Sequence, residues 1–336
     1  MSNVQVPLAS GFGPASSWRE VIAGARLEGR RAIVTGGHSG LGRETVQALT
    51  QAGASVIVPA RNVGEARARL DGIANVQVWP MDLADPASID AFARRYLDEG
   101  QALHILVNNA GIMAVPTLQH DARGIELHFA TNHLGHFQLA GALWPALAAA
   151  GGARVVSVSS RGHRFSPVVF DDLAYTRRPY DRWSAYGQSK TANILFALEL
   201  DRRGEAHGVR AFSVHPGSII DTGLARHLTP GDIRASGALD EQGRPVLDPE
   251  VGFKTPEQGA ATQVWCATSA QLNGHGGVYC EDADIAALMD DEGAKAPPGG
   301  RVRAARGVRP YAVDPSLAQR LWERSEALLG KAYGPA

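Results

Sequence analysis

Tyr186 and Lys190 stand four residues apart in the stretch SAYGQSK, with only small or polar residues between them. On a helix, positions i and i+4 share a face, so a phenol and an ammonium would point into the same space. Such a pair is either a solvated surface contact or a proton-transfer device, and the spacing alone leaves both open. A second chemistry-bearing stretch is TGGHSGLGRE, which sets Gly36, Gly40 and Gly42 in a TGxxxGxG pattern. Glycines at such a bend let the backbone approach a pyrophosphate, and the following helix offers free N–H groups and the positive end of its dipole. His38, Ser39 and Leu41 lie in the same turn and are candidate cofactor contacts with it. Where a site for NAD usually places an acid after the second strand, this chain reads VPARN. Unless they are simply solvated, Arg61 in that stretch and Arg43 after the glycine turn can face a 2′-phosphate, which a guanidinium pairs bidentately. The expected cofactor is therefore NADP, preferred over NAD.

A scaffold must bring these groups together. Short β-branched runs recur at RAIVTG (31–36), ASVIVPA (54–60), NVQVWP (75–80), HILVNN (104–109), ARVVSVSS (153–160) and VRAFSVHPG (209–217). A seventh is expected at GGVYCED (276–282), after a helix from about Pro256 to Thr268. Nearly continuous apolar strands separated by helical patterns suit a parallel sheet covered on both faces. The expected architecture is a single α/β domain of Rossmann type: doubly wound, with a mainly parallel seven-stranded sheet flanked by helices. Residues 1–29 read as an N-terminal leader with a short capped helix in SSWREVIAGA, 30–282 as the catalytic domain, and 283–336 as a C-terminal extension. The extension is polar near 293–307 and ends in a helix, PSLAQRLWERSEALLG. Segments 161–183 and 224–254 are irregular and follow strand ends, which makes them candidate substrate loops. VVF and Trp183 in the first, and Ile233 and Leu239 in the second, are the expected apolar wall and lid.

Taken in order, TGxxxGxG, MDL (81–83), NNAG (108–111), TNHLGHF, VVSVSS, YxxxK and HPG (215–217) resemble the short-chain dehydrogenase/reductase family. NNAGIM, SSRGHRF, the long gap before AYGQSK, TANILFALEL and VHPG are similar to the branch that holds retinol dehydrogenases and the WW-domain-containing oxidoreductase, without an evident WW domain here. The resemblance covers roughly residues 30–280. It implies a catalytic tetrad of Asn132, Ser160, Tyr186 and Lys190. It also implies that Asp82 and Leu83 flank an adenine, that Asn108, Asn109, Ala110 and Gly111 line the cofactor cleft, and that Pro216, Gly217 and Thr222 border the nicotinamide. Tyr186 and Lys190 would touch the cofactor as well. In that reading Tyr186 is the acid/base and Lys190 lowers its pKa, while Ser160 holds the substrate oxygen. Asn132 interrupts a helix and anchors a water that continues the proton path. The implied reaction is hydride transfer between the nicotinamide and a medium or bulky apolar alcohol, ketone or aldehyde. Two other readings share parts of the pattern. A catalytically idle NADP-sensing interaction protein would have no need of Tyr186, and a sugar-nucleotide epimerase or dehydratase would favour TGxxGxxG.

Composition narrows the partners. Lys and Arg total 33 against 34 Asp and Glu, so no basic field points to nucleic acid. Cys266 and Cys280 are the only cysteines, too few for a disulfide framework, and a cytoplasmic setting fits them as packing residues. His133, His136, His163 and His215 lack acidic or cysteine partners at ligand spacing, so no metal is expected. Asp171, Asp172 and Glu199 read as loop and helix surface, and Trp144 and Trp183 as core or rim. The start of the chain has no signal-peptide pattern. FQLAGALWPALAAAGG is interrupted by Pro145 and falls short of the ~18–20 residues that span a bilayer, so a buried helix is expected there. The expected partner is a small molecule, with a monomer or homodimer both open.

Overall fold

The structure, a computed structural model, describes residues 5–219, 222–289 and 306–334. Most of the polar stretch expected near 293–307 lies outside the described residues. The chain begins with helix α1 (Trp18–Val21), then strand β1 (Arg31–Val34), α2 (Gly40–Gln51), β2 (Ser55–Ala60), α3 (Val63–Arg69), β3 (Val76–Pro80), α4 (Pro86–Asp98) and β4 (Ile105–Asn108). It continues through α5 (Gly135–Ala142), α6 (Trp144–Ala149), β5 (Ala153–Val158), α7 (Arg182–Gly204) and β6 (Val209–His215). It ends with α8 (Pro230–Ala235), α9 (Pro256–Thr268), β7 (Val278–Glu281), β8 (Asp284–Ile285) and α10 (Pro315–Leu329).

The strands form one sheet in the order β3-β2-β1-β4-β5-β6-β7-β8. Every pairing is parallel except β7 with β8. From β1 the chain builds outward to β3 and then returns to β4 on the other side. The loops leaving β1 and β4 therefore diverge, and a crevice opens at their C-terminal ends. On one sheet face, Val46 and Leu49 of α2 pack with Val264 and Trp265 of α9. On the other, Phe92, Phe137 and Phe196 from α4, α5 and α7 form a second core. Strand β8 adds an eighth to the seven expected. It is two residues long, turned back through Asp282 and Ala283 at φ 55° and 57°, too short to leave a period in the sequence. FQLAGALWPALAAAGG, expected as one helix, is two. Pro145 falls in the first turn of α6, where a missing N–H leaves no bond unmade. Among the described residues no helix is long and apolar enough to cross a membrane.

Described segments on either side of residues 30–282 are woven into this domain. Ser17 and Glu20 cap α1 reciprocally, and Trp18 is fully buried with its Nε1 donating to Glu44 at 2.7 Å. Leu8 and Ser10 donate their N–H groups to the Asp284 carboxylate in β8. At the other end, Trp322 of α10 stacks on Phe196, with 6.1 Å between ring centroids, and meets Phe137 edge-on at 4.8 Å. Trp322→Ala is expected to lower the unfolding free energy by about 3–5 kcal/mol, the usual cost of emptying a buried aromatic site. Urea denaturation measures it, and a loss under about 1 kcal/mol would show that α10 is peripheral.

Two carboxylates expected on the surface are buried. Glu199 accepts bonds from Arg202 and Arg203. Asp172 gathers the backbone N–H groups of Thr176, Arg177 and Arg178 and the Thr176 hydroxyl, so its charge organises the loop before α7. Asp171 is exposed. Cys266 and Cys280 are buried free thiols, Trp144 is half-buried against the second core, and Trp183 lies edge-on to exposed Phe165 at 5.9 Å.

Candidate active site

A cleft of about 420 Å³ follows the C-terminal ends of β1, β4, β5 and β6. Its floor at one end is the glycine turn. Gly36 adopts φ +64°, and a Cβ there would sit 3.2 Å from Ala110 Cα. A Cβ on Gly42 would run into the Gly36 carbonyl oxygen. Only glycines let strand, turn and helix lie this close. The Ser39 side chain makes no capping bond, so the first-turn N–H groups of α2 are left for a ligand in the cleft. The turn is braced from behind by Thr35, whose hydroxyl accepts from Asn109 N and Ala110 N at 2.9 Å each.

His38, Ser39, Gly40 and Leu41 line this end, with Asp82 and Leu83 beyond β3 and Asn109, Ala110 and Gly111 beyond β4. Arg61 lines it too. Burial lowers the His38 pKa, with Arg69 and Arg61 acting in the same direction and Glu65, the ion-pair partner of Arg69, opposing them. Arg69 is a contributor the sequence reading missed. Arg43, expected to face the cleft, is absent from its wall: its Nε donates to the Arg69 carbonyl at 3.1 Å. Asn108 is likewise buried in β4 and does not line the cleft.

At the opposite end lie Ser160, Tyr186 and Lys190, with Pro216, Gly217 and Thr222 beside them. Asp181 caps α7 by accepting Ser184 N at 2.7 Å, which sets Tyr186 and Lys190 on the turns that follow. Lys190 Nζ donates to the Val158 carbonyl at 2.9 Å and lies 5.7 Å from the Tyr186 ring centroid. Ser160 Oγ accepts Gly162 N at 2.9 Å and lies close enough to the Tyr186 phenol to favour its ionised form. Burial pushes Tyr186 up to about 12, with nearby Ser160 opposing it, and burial pulls Lys190 down to about 7. The expected lowering of Tyr186 by Lys190 is thus reversed. Removing water penalises the phenolate and the ammonium alike, and that loss of solvation, not the pairing, sets the direction of both shifts.

Asn132 sits in a π-helical turn, Phe129–Leu134, which is the expected interruption of a helix. Its side chain does not reach the cleft surface. Oδ1 accepts Ile112 N at 2.9 Å, and Nδ2 donates to Ile112 O and Ser189 Oγ, each at 3.0 Å, so it braces the wall from behind. The Asn132 carbonyl accepts His136 Nδ1 at 3.0 Å, and His136 Nε2 meets the Thr35 hydroxyl at 2.9 Å. Burial pulls His136 down to about 4, so the ring is neutral and spans the two. The other histidines weighed as ligands are also engaged in the fold: His133 with Ser325, His163 with the Ser160 carbonyl, His215 with Arg161 N.

The candidate substrate loops divide differently from expectation. No residue of 161–183 lines the cleft. Val168 and Phe170 of VVF instead pack toward Phe129, Leu195 and Leu321, because α10 covers that face. From 224–254, Leu224, Arg226 and His227 reach the cleft, whereas Ile233 and Leu239 do not. An Arg182–Asp232 ion pair at 2.5 Å joins the start of α7 to α8. Val115, Gln119 and Leu127 complete the catalytic end. The sequence offered little sign of them, since they come from a loop with neither motif nor period.

The family model for the short chain dehydrogenase matches residues 30–232. A protein named "Probable oxidoreductase" from Streptomyces lividans is 47% identical over 302 residues, covering 88% of this chain and 96% of that protein. Retinol dehydrogenase 12 of Homo sapiens is 37% identical over 328 residues, covering 94% and 93%. Among solved structures, RhlG of Pseudomonas aeruginosa in an NADP active-site complex superposes with a TM-score of 0.58 at 25% identity, covering 76% of this chain and 95% of that one. Motif order, sheet topology and likeness over most of the length agree, and the chain is an oxidoreductase that belongs to the short-chain dehydrogenase/reductase family.

Proposed function

We propose that the protein is an NADP-dependent alcohol dehydrogenase or carbonyl reductase in which Tyr186 is the acid/base. The observation that carries this reading is the placement of Ser160, Tyr186 and Lys190 at one end of a cleft whose other end is the glycine turn. The residues fit the cofactor. Gly36 and Gly42 leave a cradle that side chains would fill, and the N-terminus of α2 suits the pyrophosphate. Asp82 and Leu83 are assigned to the adenine, Arg61 with His38 to the 2′-phosphate, and Pro216, Gly217 and Thr222 to the nicotinamide. NADP supplies or accepts the hydride when bound. Ser160 holds the substrate oxygen, and Tyr186 gives that oxygen its proton on reduction and removes it on oxidation. Lys190 continues the proton path from the phenol, and Asn132 fixes the backbone of Ile112 behind it.

Val115, Leu127 and Leu224 favour a medium-sized, mainly apolar alcohol, ketone or aldehyde, while Gln119, Arg226 and His227 leave room for one polar function. A relative named for retinol, itself an apolar alcohol, supports the same class. A screen of aliphatic and aromatic alcohols and carbonyls, followed by nicotinamide absorbance with each cofactor, tests the reading; no turnover on any of them would count against it. NADPH is expected to bind more tightly than NADH. Arg61→Asp is expected to weaken NADPH about 10–100-fold, because a charge-assisted contact becomes a repulsion, and to leave NADH nearly unaffected. Equal dissociation constants for the two cofactors in the unmutated protein would remove Arg61 from this role.

A further inference from the structure

Ser160 follows strand β5 and caps a five-residue 3-10 helix, Arg161–Phe165, that packs under Tyr186. The packing leaves no slack: a Cβ on Gly162 would lie 2.6 Å from Tyr186 Cε1. A lone 3-10 turn is a weak element, yet this one must hold a hydroxyl in register with a phenol. The Thr191 hydroxyl of α7 lies 3.0 Å from the His163 carbonyl and 2.7 Å from the Ser166 carbonyl, and the rest of its support comes from far along the chain. The Ser160 carbonyl accepts His163 N at 3.0 Å and His163 Nδ1 at 2.7 Å. A carbonyl cannot donate, so Nδ1 carries the ring proton and Nε2 is left as an acceptor. Nε2 accepts Arg309 N at 3.3 Å. The His163 carbonyl accepts the Tyr311 hydroxyl at 2.8 Å, and Arg164 donates to the Gly307 carbonyl at 2.8 Å. His163 is fully buried, with Tyr279 edge-on at 5.2 Å.

The donor segment is itself anchored. Gly307 N donates to Glu281, and Val308 pairs with Ala287 and Met289 through backbone bonds of 3.0 and 2.9 Å. Val308 and Ala312 are fully buried. These residues lie beyond the 30–232 span that the family model matches.

We propose that residues 307–311 are a positioning element for Ser160, acting through His163 to hold the turn that aims the serine hydroxyl at the Tyr186 phenol. The inference rests on the reading of Ser160 as the group that holds the substrate oxygen. An error of about 1 Å in placing such a group can cost ~10²-fold in rate, so a modest hydrogen bond on the turn should be visible in turnover.

The test is Tyr311→Phe, which removes one hydroxyl and keeps the ring, made alone and in a Ser160→Ala background. Turnover is read with the best carbonyl substrate of the screen at saturating NADPH. Tyr311→Phe is expected to lower kcat about 3–10-fold, the worth of one ordinary hydrogen bond, and to do so far less in the Ser160→Ala background. The dissociation constant for NADPH should stay unchanged. In the protein without substrate, amide exchange of a peptide spanning 158–166 should quicken while that of β1 and α2 does not. His163→Asn, which keeps a donor near the Ser160 carbonyl but cannot reach Arg309 N, should repeat the pattern. A Tyr311→Phe protein with wild-type kcat and exchange, or with equal loss in both backgrounds, overturns the inference alone. Wild-type kcat in Ser160→Ala overturns the functional reading, and the inference with it.

Discussion

Tyr186→Phe is expected to lower turnover about 10²–10⁴-fold, the range for removing a general acid/base, while NADPH binding stays nearly intact. The ring is retained, so the edge contact with His128, 6.2 Å between centroids, and the packing against Gly162 survive. Only the proton carrier is lost, and Ser160 remains to polarise the substrate. The split between kcat and the cofactor dissociation constant distinguishes this from a folding defect. More than a tenth of the wild-type kcat in the purified variant would take the acid/base role away from Tyr186.

Lys190→Met should separate activity from stability. Turnover is expected to fall about 10²-fold or more, since the partner of the phenol is gone, yet the melting temperature at pH 7 should rise. Lys190 is almost wholly buried, and burial pulls its pKa from an ordinary 10.5 to about 7. Between those values the unfolded chain holds a proton that the native side chain does not, so unfolding becomes harder as pH rises from about 7 to 10.5 and this contribution is flat below. Methionine has no proton to lose and fills a similar volume. The Val158 carbonyl is not orphaned, because Asn193 Nδ2 also donates to it at 3.1 Å. Each kcal/mol gained should raise the midpoint by about 1–2 °C for a chain of this length. Calorimetry from pH 7 to 10 is the check. A lower midpoint than wild type, or an undiminished pH slope, would show that the lysine is not a cost to the fold.

Much of the scaffold was legible because backbone constraints are local. The glycine turn could be read since Gly36 needs φ +64° and Gly42 has no room for a Cβ, and both demands fall on single residues. The parallel strands announced themselves through β-branched runs buried on both faces. Partners in space were a different matter. VVF reads as buried in any analysis of hydrophobicity, but whether it faces the cleft or α10 depends on a helix some 150 residues later, and it faces α10. Arg43 was read from its nearness to the glycine turn, whereas its bond is to a carbonyl on α3. Asp172 and Glu199 look like surface carboxylates until their arginines and N–H groups are found around them. For Lys190 and Tyr186 the pairing was visible and the sign of the pKa effect was not. Attraction can be inferred from two letters, while desolvation depends on everything packed around them.

The stitching of the two chain ends has a consequence for biosynthesis. The Gln5 side chain bridges Tyr279 and Ala286, a separation of 274 residues for the first of these contacts. Trp18 is buried in the core cluster that also holds Val264 and Trp265 of α9. On the ribosome, the first twenty residues emerge long before the strands they pair with have been made. A nascent chain can make the Trp18–Glu44 contact early, but the Gln5 and Asp284 contacts of the leader must wait until β7 and β8 have been made, at ~5–20 residues per second. A central nucleotide-binding half can gather first, but the leader docks fully only once β8 has been made.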